Sequence, residues 1–436
     1  MMKTFGNHNY TGNHMDMEQE NERIVVGLDI GTTKVCAVVA SINHQDRIHI
    51  LGVGKSPSEG LNRGVVVNID KTVNAIRTAI QQAELASGIE VNSVNVGIAG
   101  DHIRSIRSKG VITINNKDKE ITPKDVERIL EDCQQIMLPP DQEILHVIPQ
   151  EFVVDGQDGI SDPVGMSGMR MEAEVHIITG LVSATKNLYR CVERAGYTVA
   201  DIILEPLASS YAVLDDEEKE AGVVLVDIGG GTTDLAIFQE NTIRHTAVIA
   251  IAGKKVTDDI KIGLSVLDDQ AQKLKHKHGE CFIDLIEDDD SITIPGIAGR
   301  PPKEITKSIL AKIIQARMEE ILEIVAIEVK RSGYVDTLSA GIVVTGGGSL
   351  IKNITVLANE VLGMDAKIGR PLGLAGGLIE EVNSPIYATS VGLVLHALKT
   401  KETENQGLVI GSSRETRVED FINSITGRMK SWFKEL

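Results

Sequence analysis

The chain has 436 residues, a formal net charge of −18 and a hydrophobic content of 42%. Single hydrophobic cores usually stop growing at about 250–300 residues, so we expect more than one globular domain in a chain of this length. The acidic charge argues against nucleic acid as a partner, because a global basic field is missing. The four cysteines have no Cys-X-X-Cys spacing, which predicts reduced thiols rather than a disulfide scaffold or a zinc site.

Hydrophobic patterning predicts the first elements along the chain. Residues 1–21 are polar and lack the apolar core of a signal peptide, so they are expected to form a disordered extension of an intracellular protein. Apolar alternation and helical spacing predict strands at 24–29, 34–41 and 47–54, a helix at 69–86 and a strand at 91–99.

A glycine-rich loop follows the first strand and returns later in the chain. The stretch 25–34, with Asp29 at the strand end, recurs as 223–234, with Asp227 in the same place and two glycines inserted. An ordinary turn explains one Gly-Thr-Thr but not its ordered repetition. Backbone N–H groups of such loops approach anions, and the aspartates can hold a hydrated divalent cation. We predict two phosphate loops, formed by Gly31, Thr32, Thr33, Lys34, Gly229, Gly230, Gly231, Thr232 and Thr233.

The segment 104–183 follows a different pattern, with strands on either side of a helix predicted at 123–133. Thr122 is the expected N-cap of this helix, and Asp125 follows closely. Nothing in the segment resembles a nucleotide loop. We therefore interpret it as a small α/β subdomain inserted into the first half.

Later elements include a further glycine loop. Gly253 ends a strand and is expected either to approach the nucleotide or to form a simple turn. One long helix is expected at 303–331. The loop after the next buried strand has consecutive glycines that let a base or ribose lie against the backbone. Its predicted adenosine contacts are Gly346, Gly347, Gly348 and Ser349. Beyond it we predict a helix at 350–362, a glycine-rich loop at 369–378 and a helix at 384–399.

The tail combines a predicted flexible linker at 400–417 with an amphipathic helix at 418–436. Its apolar residues share one helical face, and the only tryptophan lies on that face. A bilayer interface favours this pattern, while a helix docked on the protein body would show the same stripe. The predicted membrane contacts are Phe421, Ile422, Ile425, Met429, Trp432, Phe433 and Leu436.

The three glycine loops together resemble those of the superfamily of actin, DnaK-type chaperones and sugar kinases. Within it, several stretches are similar to the family of the bacterial cell-division protein FtsA: residues 27–35, 94–100, 146–152, 162–166 and 432–436. This resemblance runs from about residue 22 to the end of the sequence.

The resemblance implies an α/β, actin-like ATPase fold with two related halves around ATP and Mg²⁺, an inserted subdomain IC and a C-terminal amphipathic helix. The implied divisions are IA at 22–103 and 184–217, IC at 104–183, IIA at 218–253 and 328–383, IIB at 254–327, and a return helix at 384–399.

The resemblance also implies roles for individual residues. Asp29 and Asp227 would organise the hydrated Mg²⁺, and Glu205 with Asp227 would support a hydrolysis that is slow at most. The alternative is that Glu205, beside Pro206, only caps the start of a helix. Lys303 and Arg317 match basic positions of a groove for the acidic C-terminal peptide of FtsZ, although isolated basic residues on a helix usually face solvent.

The implied function is that of a filament protein that anchors FtsZ polymers to the cytoplasmic face of the inner membrane and contacts later division proteins. One alternative is an MreB-like filament, which lacks the insertion at 104–183. A soluble kinase or chaperone-type ATPase is another. A DnaK-type chaperone would need a substrate domain after residue 400, and a sugar kinase would need a catalytic base in a substrate cleft.

Overall fold

The computed structural model describes residues 23–43, 47–115, 117–296 and 299–405. The predicted extension at 1–21, residues 406–417 of the predicted linker and the predicted membrane helix at 418–436 lie outside these ranges. All seven predicted membrane contacts, from Phe421 to Leu436, fall in the last of these segments.

The first half and its insertion contain β1 (Arg23–Ile30), β2 (Lys34–Ile42), β3 (Ile48–Pro57), β4 (Leu61–Asn62), β5 (Val65–Val66), α1 (Ile69–Ser87), β6 (Ser93–Ile98), β7 (Arg104–Thr113), α2 (Pro123–Cys133), β8 (Gln142–Val154), β9 (Gln157–Ile160), β10 (Arg170–Leu181), α3 (Val182–Ala195), β11 (Thr198–Leu204) and α4 (Glu205–Val213). Helix α1 forms as predicted because its apolar stripe is buried, the Asn68 side chain accepts from Lys71 N–H at 3.0 Å, and Gly88 ends it at φ 70°.

The rest of the described chain contains α5 (Asp216–Ala221), β12 (Val223–Ile228), β13 (Thr233–Gln239), β14 (Thr242–Ile249), α6 (Gly253–Leu264), α7 (Asp268–His278), β15 (Ser291–Ile294), β16 (Lys303–Thr306), α8 (Lys307–Ser332), β17 (Ile342–Thr345), α9 (Ile354–Leu362), β18 (Ala366–Ile368), β19 (Leu374–Gly377), α10 (Ile379–Val382) and α11 (Ala388–Asn405).

The two halves repeat one sheet topology. The first sheet has the order β11-β6-β1-β2-β3 with β19 added at its edge, and the second has the order β18-β17-β12-β13-β14. In each, a three-stranded antiparallel meander continues into two parallel strands. The central strands β1 and β12 are almost entirely buried, as expected for apolar strands covered by helices on both faces. The prediction of two related halves is confirmed.

The insertion between β6 and α3 has its own sheet, in the order β7-β10-β8-β9, with α2 packed on one face. Thr122 begins α2 as predicted: the Asp125 carboxylate accepts from its backbone N–H at 3.0 Å and from its hydroxyl at 2.6 Å. Ile129, Met171 and Val175 belong to a separate core cluster in this region. The insertion is therefore a small α/β unit, as the sequence predicted.

Side chains of the insertion also contact β14, the edge strand of the second sheet. Gln150 Nε2 donates to Ile243 O at 2.6 Å, and Ser105 Oγ donates to Thr246 O at 3.3 Å. The Thr246 hydroxyl lies 3.1 Å from His176 Nε2. The inserted unit thus touches both halves, although its chain connections belong only to the first.

Helices α4 and α11 lie between the two sheets and join them. A Cβ on Gly27 of β1 would overlap the Ser390 carbonyl, and a Cβ on Gly392 would overlap the Ala208 carbonyl. Glycine is needed at these positions because the backbones approach so closely. Val25 and Val223, from the two halves, belong to one shared core cluster.

Four local predictions need correction. The helix predicted at 303–331 begins only at Lys307, because residues 303–306 form β16 of a hairpin with β15. The helix predicted at 350–362 begins at Ile354, after a 3₁₀ turn. The loop predicted at 369–378 contains β19, which pairs with β3 of the first sheet. Helix α11 continues through Asn405, into the segment predicted as linker.

The four cysteines form no disulfide, as predicted. Cys36, Cys133, Cys191 and Cys281 are all buried free thiols.

Candidate functional site

The two predicted phosphate loops are hairpin turns of equal length. Ile30 pairs with Val35 in the first hairpin, and Ile228 pairs with Thr233 in the second, so the loops are residues 31–34 and 229–232. Gly31 N–H donates to Lys34 O and Gly229 N–H to Thr232 O, each at 3.0 Å. The predicted insertion of two glycines is wrong: Gly230 and Gly231 stand where the first loop has Thr32 and Thr33.

The loops face each other across the junction of the two halves. A Cβ on Gly230 would overlap the Thr33 side chain, and a Cβ on Gly231 would overlap Thr32 Oγ1. Each threonine of the first loop thus fits the space left by a glycine of the second. The exchange of threonine for glycine lets the two loops pack directly against each other.

Three carboxylates are buried behind these loops. The exposed fractions of Asp29, Asp227 and Asp234 are 6%, 8% and 3%. Asp227 and Asp234 are opposite each other in the β12–β13 hairpin. Burial raises the pKa of Asp227 to about 6, and burial together with the neighbouring Asp227 raises that of Asp234 to about 8. The pKa of Asp29 is also raised, by burial and against the attraction of Lys34.

Glu205 adds a fourth carboxyl at the start of α4, with Pro206 next to it in the first turn. Burial raises its pKa well above the ordinary value, and Asp29, Asp234 and Asp227 raise it further. A Cβ on Gly97 of β6 would lie 3.0 Å from Glu205 Cγ, so this glycine leaves room for the glutamate. The structure therefore brings Glu205 to the predicted site, although the residue also begins a helix.

Neighbouring side chains hold two of the carboxylates in place. Asp227 Oδ2 accepts from Ser209 Oγ at 2.9 Å and from Thr389 Oγ1 at 3.4 Å. Lys34 Nζ lies 3.5 Å from Asp29 Oδ2 and also donates to the Ile386 carbonyl. Lys34 is thus occupied by a carboxylate and a carbonyl, and its ammonium group lowers the pKa of Asp29 against the effect of burial.

The third loop packs against the end of β12. Gly346 has φ 77° and ψ 178°, and a Cβ there would overlap Asp227 Oδ1. A Cβ on Gly348 would overlap the Ile228 side chain, and the buried Ser349 donates to Gly346 O at 2.8 Å. Gly347 differs, because it is exposed and its nearest neighbour would be Ile386 Cγ2 at 3.9 Å. Of these predicted adenosine contacts, Gly347 offers an open backbone surface.

Gly253 begins α6 directly behind the second loop. Its N–H donates to Gly229 O at 3.1 Å, and Lys254 N–H donates to Gly230 O at 2.8 Å. Lys275 Nζ donates to Gly253 O and to Thr257 Oγ1, each at 2.8 Å. Burial lowers the pKa of Lys275 to about 8, against the opposing effect of Asp268 and Asp258.

The two basic residues predicted for partner binding both contact α6. Lys303 lies on β16 and donates to Leu264 O at 3.3 Å, and Arg317 lies on α8 and pairs with Asp259 at 2.5 Å and with Glu320. The placement of Lys303 on the long helix is therefore wrong. A surface cavity of about 450 Å³ includes Arg317, and its lining is Ile251, Lys255, Asp258, Asp259, Lys261, Ile262 and Arg317.

Sequence reasoning missed four residues of this region. Asp234 was detectable, because the hairpin register places it directly opposite Asp227. Ser209, Thr389 and Lys275 carry no motif, and they reach the site only through the packing of α4, α11 and α7.

Comparison with known proteins decides the family. A profile described as "Cell division protein FtsA" matches residues 224–392, and one described as "SHS2 domain inserted in FTSA" matches residues 100–179. The cell division protein FtsA of Pseudomonas aeruginosa is 43% identical over 413 residues, which cover 95% of this chain and 98% of the relative. The chain belongs to the FtsA family. It is an actin-like cell-division protein, as the sequence resemblance predicted.

Solved structures agree on the fold of this FtsA-family chain. It resembles a chain of the PilM-PilN type IV pilus biogenesis complex with a TM-score of 0.64 and 15% identity, covering 86% of this chain and 98% of the other. It resembles MreB5 of Spiroplasma citri bound to ADP with a TM-score of 0.54 and 16% identity, covering 88% and 98%. The predicted actin-like ATPase fold is thereby confirmed.

Two negative findings concern only the described part of the chain. None of its helices combines the length and apolarity that crossing a bilayer requires. Its His, Cys, Asp and Glu side chains form no group of three or more that would hold a metal ion directly.

Replacing Gly346 by alanine tests the packing of the third loop. Gly346→Ala should lower stability by about 1–3 kcal/mol, because its backbone conformation strains any side chain and the new Cβ overlaps Asp227. Gly347→Ala is the matched control, since its Cβ would meet only Ile386 Cγ2, at an ordinary contact distance of 3.9 Å, and it should change stability by less than about 0.5 kcal/mol. Thermal unfolding measures both effects. Equal stability of the two variants would contradict the assigned packing.

The pH dependence of the stability of Asp234→Asn, compared with the wild type, tests the raised pKa of this buried carboxyl group. The pKa of Asp234 is raised to about 8 from an unfolded value of 3.8, so the ionised form destabilises the folded state. Without nucleotide or divalent cations, the variant should exceed the wild type in stability above pH 8, and this advantage should shrink as the pH falls towards 4. If the difference in stability between variant and wild type does not vary between pH 4 and 8, Asp234 stays ionised in the folded protein.

Proposed function

We propose that this FtsA-family protein binds ATP with Mg²⁺ between its halves and links FtsZ polymers to the membrane. The observation that supports the nucleotide part is the crosswise fit of Thr32 and Thr33 with Gly230 and Gly231, which brings the two glycine-rich loops together at the junction of the halves. The subdomain divisions predicted from the sequence, from IA to IIB, belong to the same proposal.

The buried carboxylates provide the charge complement for a metal ion. Asp29 and Asp227 stand at the ends of β1 and β12, and burial penalises their ionised forms. A divalent cation would relieve this penalty. The described residues offer no direct ligand cluster, so Mg²⁺ would be held through its waters and the phosphates, as is typical of this ion.

Glu205 is the candidate for orienting an attacking water, and we expect hydrolysis to be slow. Its pKa is raised by burial and by three neighbouring carboxylates, which disfavours the ionised form that would accept a hydrogen bond from water until a cation enters. Nucleotide binding would then act mainly by favouring the closed, polymer-competent arrangement of the two halves.

The cavity beside α6 is the proposed site for the acidic, partly apolar C-terminal peptide of FtsZ. Arg317 and Lys261 supply positive charge, and Ile262, which is 75% exposed, supplies apolar surface. Arg317 is held by Asp259, so its guanidinium is oriented before a peptide arrives. Lys303 contributes from β16, where its ammonium group lies at the C-terminal end of α6.

The membrane part of the proposal rests on the sequence of residues 418–436. One weakly binding helix gains strength when many copies are held in a filament, because each further attachment becomes intramolecular. The protein would act as a peripheral component on the cytoplasmic face of the inner membrane and contact later division proteins there.

Arg317→Ala should weaken binding of a synthetic FtsZ C-terminal peptide by about tenfold, since a central arginine anchor is typically worth more than 1 kcal/mol. The matched control is Arg331→Ala, which removes another ion-paired arginine from the same helix, α8. It should leave the affinity unchanged. Fluorescence anisotropy measures both, and equal losses in the two variants would place the peptide elsewhere.

Vesicle binding tests the tail. A chain ending after Asn405, which keeps α11 whole, should lose co-sedimentation with anionic liposomes in ATP and Mg²⁺. In the full chain, Trp432→Glu should have nearly the same effect, because it places a charge on the apolar face. Ser431→Glu adds the same charge outside that face and should still bind. Retained binding by the shortened chain would show that the body, and not the tail, contacts lipid.

A further inference from the structure

A small cavity lies behind Glu205, on the side of the insertion. Its volume is about 10 Å³, and its lining includes Gly64, Gly97, His102, Ala184, Leu188 and Glu205. A space of about 10–15 Å³ is what one buried water needs, provided that polar partners surround it. Here Glu205 and His102 are the titratable side chains of the lining.

His102 is the second observation that points to an occupant. The residue is 7% exposed, and both of its ring nitrogens are buried without a hydrogen-bond partner. Leaving such groups unpaired typically costs about 1–3 kcal/mol. A water in the cavity removes part of this cost, because it can donate to a ring nitrogen.

The imidazole has the protonation state that such a water requires. Burial lowers the pKa of His102, Arg104 lowers it further, and Asp101 opposes both. The ring is therefore neutral at pH 7 and keeps one nitrogen as an acceptor. One water can then donate one hydrogen to this nitrogen and the other to the Glu205 carboxyl group.

The cavity is also connected to the first phosphate loop. Gly64, which is part of the lining, donates its N–H to Thr32 Oγ1 at 3.1 Å. Ile30, also in the lining, immediately precedes Gly31. Groups that touch the cavity thus continue directly into the residues proposed to hold phosphate.

We propose that one buried water bridges His102 and Glu205, and that His102 is a positioning residue that fixes the orientation of the Glu205 carboxyl group. This inference rests on the proposed role of Glu205 in ATP hydrolysis. It adds a residue at the base of the insertion, between β6 and β7, to the apparatus that sets the hydrolysis rate. His102 itself does not touch the nucleotide in this scheme.

The kinetic test uses the full chain with ATP and Mg²⁺ under single-turnover conditions. His102→Leu should lower the hydrolysis rate by about tenfold or more, because a misplaced group loses much of its effect. His102→Gln should keep most of the rate, since its amide oxygen can still accept from the water. His176→Leu is the matched control, because His176 is also a buried histidine of low pKa but lies outside the cavity.

Two readouts separate positioning from simple packing. ATP affinity, measured with a fluorescent analogue, should change less than about threefold in all His102 variants, because the phosphate loops are intact. Equal rate losses in His102→Leu and His102→Gln, accompanied by equal losses of thermal stability, would show that His102 only fills space. A rate loss in His176→Leu as large as in His102→Leu would also overturn the proposal.

A nucleotide-free measurement keeps the inference independent of the proposed function. The ¹⁵N resonances of the His102 ring should shift in Glu205→Gln, and a high-resolution crystal structure should show one water between the two side chains. Unchanged resonances together with a dry cavity would overturn the inference, even if ATP is hydrolysed. If no hydrolysis occurs but the water and the shift are found, the role in ATP hydrolysis fails and the bridge stands.

Discussion

The burial of four carboxylates at one place, made less favourable still by their mutual repulsion, is the constraint on which the centre of this protein depends. Asp29, Asp227, Asp234 and Glu205 are brought together by the meeting of the two halves, and burial penalises every one of their negative charges. Lys34 and the hydroxyls of Ser209 and Thr389 offset only part of this penalty. The cluster therefore destabilises the folded protein, and a bound cation would offset this cost.

The surrounding architecture holds this unfavourable cluster in place. Helices α4 and α11 pack between the sheets at Gly27 and Gly392, where backbones are in direct contact, and α4 carries Glu205 and Ser209 while α11 carries Thr389. The polar groups of the site therefore stand on the elements that join the halves. Any change in the angle between the halves must also change the distances among these groups. A nucleotide bound between the halves, as proposed, would therefore act directly on the shape of the whole molecule.

Much of the fold follows from local sequence patterns. The repeated Asp-Ile-Gly ends of β1 and β12, the amphipathic spacing of α1 and the Thr122 cap of α2 all predicted the right elements, because each depends on short-range burial or hydrogen bonding. The start of α8 was misplaced because residues 303–306 gain more by pairing with β15 than by extending the helix. β19 escaped prediction because its pairing with β3 is a contact between distant parts of the chain.

The candidate site was only partly predictable for a related reason. Each loop directly follows an apolar strand and repeats the same short motif, so Asp29 and Asp227 could be identified from the sequence. The equal length of the two loops became clear only from strand register, which showed Gly230 and Gly231 in the places of Thr32 and Thr33. Lys275, by contrast, contacts Gly253 only because α7 packs on α6, and no sequence pattern predicts this contact.

The contacts between the insertion and β14 have a consequence for solubility. β14 is the outermost strand of the second sheet, and a bare outer strand offers its carbonyl and N–H groups to any other chain. Here Gln150 and Ser105 occupy the carbonyls of Ile243 and Thr246 through side chains, so the strand is covered without being extended by another strand. The inserted unit thereby guards the second sheet against edge-to-edge aggregation. A chain without the insertion would expose this edge, and any loss of function would be hard to distinguish from loss of soluble protein.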